Sequence, residues 1–376
     1  MSKKILIAMA PLGGGHDSTA KAIRQALSTV QPDVNVEVLN VFSRDCSSFP
    51  LTVIPNLYSI FTRYSFLWKN LFYLTNKPAR FSLIERLIQP LILPALYKKL
   101  QQIEPDIIIS VFPGLGFTLY QAIKKLGRNI TFGVVIIDLV TIHPAWIFQK
   151  ADWYVVQTEE ALQVLVAEGI PRKNIHQIGL PIRKEFTSPR KYPDELREEM
   201  GLPLNRSSIL IVDNGSGSGK IEKLIPEIRS RMPDCHLVII TGKNKRLHHR
   251  LQSKFQYGSI KILGFVDNIA DWMYSADVLI TKAGPGIILE AIQCNLPLVI
   301  FGAIPGQEEG NITFVKKGGL GLIAESFQEA ACGAQRIISD SQVAQEIKSR
   351  MKQLYNSKSS SDIANLILTS EENILK

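Results

Sequence analysis

The chain has 376 residues, 45% of them hydrophobic and 20% charged, which suits a globular protein of two domains and excludes a disordered one. Its net charge of +9 is uneven: residues 1–185 hold 20 Lys and Arg against 13 Asp and Glu, whereas 186–376 hold 23 against 21. A basic first half suits an anionic lipid surface or an acidic ligand; with no helix-turn-helix, zinc-finger or RNP pattern, nucleic acid is not an expected partner.

KKILIAMA (3–10) is a short apolar run ending at Gly13-Gly14-Gly15, a buried parallel strand by its pattern. Apolar positions at helical spacing follow over 18–27, and VNVEVLNVF (34–42) alternates as a second strand. The apolar run at the start is too short for an anchor or a signal peptide. The segment 43–100 interrupts the pattern. Between Phe49 and Tyr73 it carries Tyr58, Phe61, Tyr64, Phe66, Trp68 and Phe72 among Arg63 and Lys69, with Lys77, Arg80 and Arg86 just beyond. It reads either as helices packed under the sheet or as an aromatic, basic face in a membrane interface, since an ordinary crossover needs far fewer residues.

Strands resume at 106–112, 130–138 and 151–158, and a Pro/Gly-containing boundary near 179–183 divides the chain into domains at 1–182 and 183–376. The second half repeats the alternation with strands at 207–215, 235–242, 259–266, 276–284 and 297–302 and a helix at 287–294. The fold class expected is α/β, two Rossmann-like domains facing across a cleft, with a helix over 341–368 that returns to the first domain. Cys46, Cys235, Cys294 and Cys332 lie far apart without a CxxC pair, as reduced thiols of a cytosolic protein.

Three stretches carry chemistry. Gly14 and Gly15 lie between the first strand and its helix, where glycine lets backbone approach a ligand and helix N–H groups attract anions. His16 follows them, either as a base for an acceptor hydroxyl or as a structural histidine. Asn214–Lys220 imitates a P-loop, but its spacing fails and Ile221 stands where Ser or Thr should be; Gly215 is left as a phosphate-side candidate. TKAGPGIILEA (281–291) opens a helix at Gly284-Pro285-Gly286 and puts Glu290 on its second turn, a place for a diphosphate and for ribose hydroxyls. FGAIPGQEEGN (301–311) follows as a polar loop with Gln307, Glu308 and Asn311.

GGGH after the first strand, GFVDN at 264–268, ADVLITKAGPG at 276–286 and PGQEEGN at 305–311 resemble the monogalactosyldiacylglycerol synthase and processive diacylglycerol glucosyltransferase family. That family is similar in turn to the peptidoglycan N-acetylglucosaminyltransferase. The resemblance implies a GT-B fold and inverting transfer of galactose or glucose from UDP-galactose or UDP-glucose. The implied acceptor is diacylglycerol or a glycosyl-diacylglycerol, at an anionic membrane surface, by a cytoplasmic peripheral protein. By the same resemblance His16 matches the base, Val266 the uracil contact, Glu290 the ribose-binding acid, and Gln307, Glu308 and Asn311 the donor-sugar loop. IDLVTIHPAW (137–146) resembles the acceptor segment, which makes Asp138, His143 and Trp146 candidates. Phe61, Arg63, Tyr64, Phe66, Trp68 and Lys69 are the membrane candidates. No Asp-x-Asp occurs, so no metal or other cofactor is expected. The rival readings are a UDP-sugar epimerase of the same fold and a non-catalytic lipid-binding protein.

Overall fold

A computed structural model describes residues 3–12, 14–47, 65–213, 221–255 and 258–374. The chain folds as two compact units, Met1–Arg183 with Pro305–Gln307 and Lys358–Lys376, and Lys184–Ile304 with Glu308–Ser357.

The first unit runs β1 (Lys4–Met9), α1 (Gly15–Val30), β2 (Asn35–Asn40), α2 (Ser65–Thr75), α3 (Pro78–Ile103), β3 (Ile107–Ser110), α4 (Gly116–Leu126), β4 (Thr131–Val135), β5 (Trp153–Val156), α5 (Glu159–Ala167) and β6 (Ile175–Gln177). Its sheet is parallel throughout, in the order β2-β1-β3-β4-β5-β6. Strands β1 and β3 bury both faces, which is why they read as unbroken aliphatic runs. In α1 the stripe Ala20, Ile23 and Leu27 faces the sheet core. Gly133 permits the closest packing here: a Cβ on it would lie 2.0 Å from the Trp153 ring.

The second unit runs α6 (Lys184–Thr187), α7 (Pro193–Glu199), β7 (Ser208–Val212), α8 (Ile221–Arg231), β8 (His236–Ile240), α9 (Lys245–Phe255), β9 (Ile260–Leu263), α10 (Ile269–Tyr274), β10 (Val278–Thr281), α11 (Pro285–Gln293), β11 (Leu298–Phe301), α12 (Glu309–Gly318), β12 (Gly321–Ala324), α13 (Phe327–Ser339) and α14 (Ser341–Leu354). The parallel order is β12-β11-β10-β7-β8-β9. A Cβ at Gly321 would lie 2.1 Å from the Leu298 carbonyl, so the start of β12 admits only glycine.

The last helix, α15 (Ser359–Ile374), packs in the first unit, where Ile363, Ala364 and Ile367 join the core of Ile23 and Leu27. Ser359 Oγ donates to the Leu180 carbonyl at 2.9 Å and Ser360 Oγ to that of Ile182 at 2.8 Å, fixing its first turn. Strands β6 and β12 were not expected from sequence. One has three residues and the other opens on glycine, so neither shows a readable period.

In each sheet the strand order reverses direction once, between β1 and β3 in the first and between β7 and β10 in the second. Loops leave such a pair toward opposite faces and open a crevice at the carboxyl ends of the strands. The glycine-rich stretches singled out above fall at these ends: Gly14 and Gly15 open the helix that follows β1, and Gly284 caps the one that follows β10.

Candidate active site

In the first unit β1 delivers the chain to the reversal, and α1 begins at Gly15 with Gly14 as its N-cap. A Cβ on Gly14 would meet nothing within 4 Å, whereas one on Gly15 would stand 3.3 Å from Ile137 Cδ1. A side chain is thus free of contact at the first glycine and tight at the second, where Ile137 would have to give by a few tenths of an ångström. His16 follows and is 7% exposed. Its Nδ1 lies 2.7 Å from the Val111 carbonyl oxygen, just past β3. A carbonyl only accepts, so Nδ1 carries the hydrogen and Nε2 presents its lone pair. Burial pulls the His16 pKa down to about 4, against the opposing pull of the Val111 bond. The imidazole is therefore neutral at physiological pH.

Phe112 meets the His16 ring edge-on at 5.1 Å, and Trp146 lies at 6.0 Å. Trp146 Nε1 donates to Asp138 Oδ2 at 2.6 Å, and both residues are buried. His16, Asp138 and Trp146, far apart in sequence, thus form one cluster. Val111 and Phe112 belong to it and were missed; the sequence signal for them is their position immediately after a strand beside the reversal.

His143 belongs to a different environment. Its ring lies 5.0 Å from Phe72 and 5.6 Å from Phe81. Nδ1 accepts from Ala145 N at 3.1 Å, so Nε2 bears the hydrogen and donates to Thr75 Oγ1 at 3.1 Å. Burial lowers this pKa also to about 4. His143 therefore ties α2 to the short turn Pro144–Trp146 that carries Trp146. Phe72, expected on a membrane face, is buried against it, and its neighbours Phe66, Leu67, Leu71 and Leu74 are the exposed ones; Trp68 is half-buried and Lys69 exposed. Phe61, Arg63 and Tyr64 lie outside the described residues, as does Gly215.

Residues 305–307 group with the first unit. Gly306 has φ +79°, and a Cβ there would lie 2.5 Å from Phe72. The neighbouring Gln307 has a buried Oε1 without a hydrogen-bond partner among the described residues, an acceptor suited to a sugar hydroxyl.

In the second unit β10 ends at Thr281, and Gly284 caps α11 with Pro285 as its first residue. Pro285 has no N–H, so the first-turn donors there are Gly286 and Ile287, at the positive end of a helix. Glu308 is 3% exposed: Oε1 accepts from Lys282 Nζ and Oε2 from Ile304 N at 2.8 Å. Asn311 Nδ2 donates to the Ala283 carbonyl at 2.8 Å. Both side chains thus brace the 282–284 turn, a role not foreseen from sequence, and Lys282 was not singled out there at all. Glu290 is half-buried on the second turn of α11, and Val266 is half-buried in the loop after β9. Among the described residues no three His, Cys, Asp or Glu side chains cluster as metal ligands.

The His16 pKa carries a stability consequence. The unfolded imidazole binds its proton near pH 6.5, the folded one only near 4. The stabilisation is complete above pH 6.5 and lost as pH falls toward 4, amounting to roughly 3 kcal/mol at about 1.4 kcal/mol per unit. His16→Gln keeps a donor for Val111 but does not titrate. Its melting temperature is expected to fall less steeply than the wild type's between these pH values, and parallel curves would refute the assigned burial.

Comparison with known proteins gives the family and the fold. A family model described as monogalactosyldiacylglycerol (MGDG) synthase matches residues 16–182, and one described as the glycosyltransferase family 28 C-terminal domain matches residues 210–319. Over 348 residues the chain is 32% identical to the chloroplastic monogalactosyldiacylglycerol synthase 1 of Arabidopsis thaliana, covering 90% of this chain and 64% of the relative. It thus spans just under two thirds of that relative's length. It is 31% identical over 353 residues to synthase 3 of the same plant, covering 90% of this chain and 74% of that one. A UDP co-structure of S. aureus MnaA matches with a TM-score of 0.67 and 15% identity, over 100% of this chain and 98% of its own. At that identity the match speaks for the fold alone, the GT-B architecture of two Rossmann-like units.

Proposed function

The chain belongs to the monogalactosyldiacylglycerol synthase family, and from that premise we propose that it transfers a hexosyl group, galactosyl or glucosyl, from a UDP-sugar to diacylglycerol or a glycosyl-diacylglycerol at a membrane surface. The observation that carries this reading is the fixed tautomer of His16, whose Nε2 lone pair stands at the strand-order reversal beside Trp146 and Asp138. The acceptor hydroxyl gives its proton to Nε2 as its oxygen attacks the anomeric carbon from the face opposite UDP. The bond from that carbon to the diphosphate oxygen breaks, and the configuration inverts. A base with a conjugate-acid pKa near 4 takes an alcohol's proton only as the new C–O bond forms, so the two events are concerted. The N–H groups of Gly286 and Ile287, at the positive end of α11, receive the charge that develops on the leaving diphosphate. Glu290 holds the ribose, Val266 the uracil, and Gln307 the sugar.

Among the described residues no helix is long and apolar enough to cross a membrane. Among the described residues, eight of the fifteen exposed large apolar side chains lie on α2 and α3, so apolar exposure is concentrated there; Phe66 (73%) and Leu87 (70%) are the most exposed of the eight. Exposed Lys69, Lys77 and Arg80 lie on or beside these helices. Apolar side chains among cations suit reversible attachment to anionic headgroups. Changing Lys69, Lys77 and Arg80 to Glu is expected to lower partition onto anionic vesicles more than about a hundredfold at low salt, at roughly 1 kcal/mol per charge. The difference should shrink at high salt. Equal partition of variant and wild type would remove this face from the account.

The activity itself is tested by UDP release from UDP-glucose and UDP-galactose on vesicles with and without diacylglycerol. Release that requires diacylglycerol is expected. Release independent of it would overturn the acceptor assignment.

A further inference from the structure

The second unit carries a cluster of positive charge that the proposed chemistry does not use. Helix α9 reads KRLHHRLQSKF, with four Lys or Arg, two His and no acidic residue. Leu247 and Leu251 bury its inner face. Arg250 and Lys254, in its later turns, pair with Glu222. Lys245 and Arg246, in its first turn, are exposed and form no ion pair among the described residues. The stretches 214–220 and 256–257, outside the described residues, contain no Asp or Glu.

Just ahead of α9, Lys243 lies 5.6 Å from the ring of Phe265, which is 60% exposed. The loop bearing Phe265 adjoins the start of α9: a Cβ on Gly264 would lie 3.9 Å from the Gly242 carbonyl and 4.0 Å from His248. Asp267 is the one acid on that loop, against Lys243, Lys245 and Arg246.

This arrangement opposes the helix. First-turn cations sit at the positive end of the dipole, where carboxylates are the stabilising choice. The isolated fold gains nothing from Lys245 and Arg246 there. An anionic surface reverses the sign, because cations and N–H groups then point at the same negative charge. An exposed aromatic ring beside basic residues completes the pattern of a headgroup contact. A strand of nucleic acid needs a groove with several stacking rings, and here there is one ring, already faced by Lys243.

We propose that Lys243, Lys245, Arg246 and Phe265 form a second contact with anionic lipid headgroups, carried by the second unit and separate from α2 and α3. The inference rests on the reading of the protein as an enzyme of bilayer lipids. It gives each unit its own hold on the membrane.

The test is co-flotation of the full chain with phosphatidylcholine vesicles, with and without phosphatidylglycerol. The variant carries Lys243→Gln, Lys245→Gln and Arg246→Gln; a control removes as much charge through Lys316→Gln, Lys317→Gln and Lys352→Gln. At about fivefold per charge, partition of the first variant onto phosphatidylglycerol vesicles is expected to fall about a hundredfold, and that of the control far less. Its melting temperature should hold or rise, since a cost to α9 has been removed; this also establishes that it folds. Equal partition of the first variant and wild type overturns the proposal while leaving the α2–α3 face standing. Loss of binding to single-stranded RNA with unchanged flotation overturns it in favour of nucleic acid. If the wild type does not float on phosphatidylglycerol vesicles at all, the membrane reading falls and this inference falls with it.

Discussion

Replacing His16 with alanine is expected to lower turnover by about 10²–10⁴-fold, the usual cost of losing a general base. UDP binding should survive, because His16 lies in the first unit and the nucleotide is assigned to the second. The pH profile distinguishes a base from a merely structural histidine. With burial setting the pKa at about 4, the acid limb of kcat/KM should fall near pH 4 and not near 6.5, since below that value Nε2 is already protonated. The variant should lose this limb along with the rate. Near-full turnover in His16→Ala would make the residue structural and move the base to Asp138, the other ionisable group of the cluster.

Glu290→Ala is expected to weaken UDP binding by about 10–150-fold. A partly buried carboxylate that accepts from both ribose hydroxyls forms charge-assisted hydrogen bonds worth roughly 1.5–3 kcal/mol. Calorimetric titration of UDP into wild type and variant reads this directly. Unchanged affinity would remove the ribose from α11 and with it the assignment of the diphosphate to the N–H groups of Gly286 and Ile287.

Much of the fold was legible because parallel strands covered on both faces must be aliphatic. ILIAM, IIIS and VLIT announce themselves, and the glycines after β1 and β10 mark the carboxyl ends of those strands. The strand order was not legible. Nothing local in β7 says that β10 will lie beside it, and that pairing is what brings the turn at 282–286 to a crevice. His16 was named from its place after three glycines, but its tautomer depends on the Val111 carbonyl, 95 residues away in sequence. Glu308 and Asn311 were named for a donor sugar from their place in a polar loop, and their bracing of the 282–284 turn was not legible there. Their bonds to Ile304, Lys282 and Ala283 come from a turn that closes only in the folded unit. The aromatic segment was read as a whole. The fold sorts it residue by residue: Phe72 turns inward to His143, while Phe66 and leucines on α2 and α3 face outward.

The most direct test of the central claim is the identity and configuration of the product. Diacylglycerol vesicles are incubated with UDP-α-galactose or UDP-α-glucose, and the lipid and nucleotide fractions are resolved by NMR. The account predicts a β-linked hexosyl-diacylglycerol formed in equal amount with UDP, and none with His16→Ala. An α-linked product would contradict the single displacement. A UDP-sugar isomerised without any glycolipid would contradict transfer altogether and make the protein an epimerase on this fold.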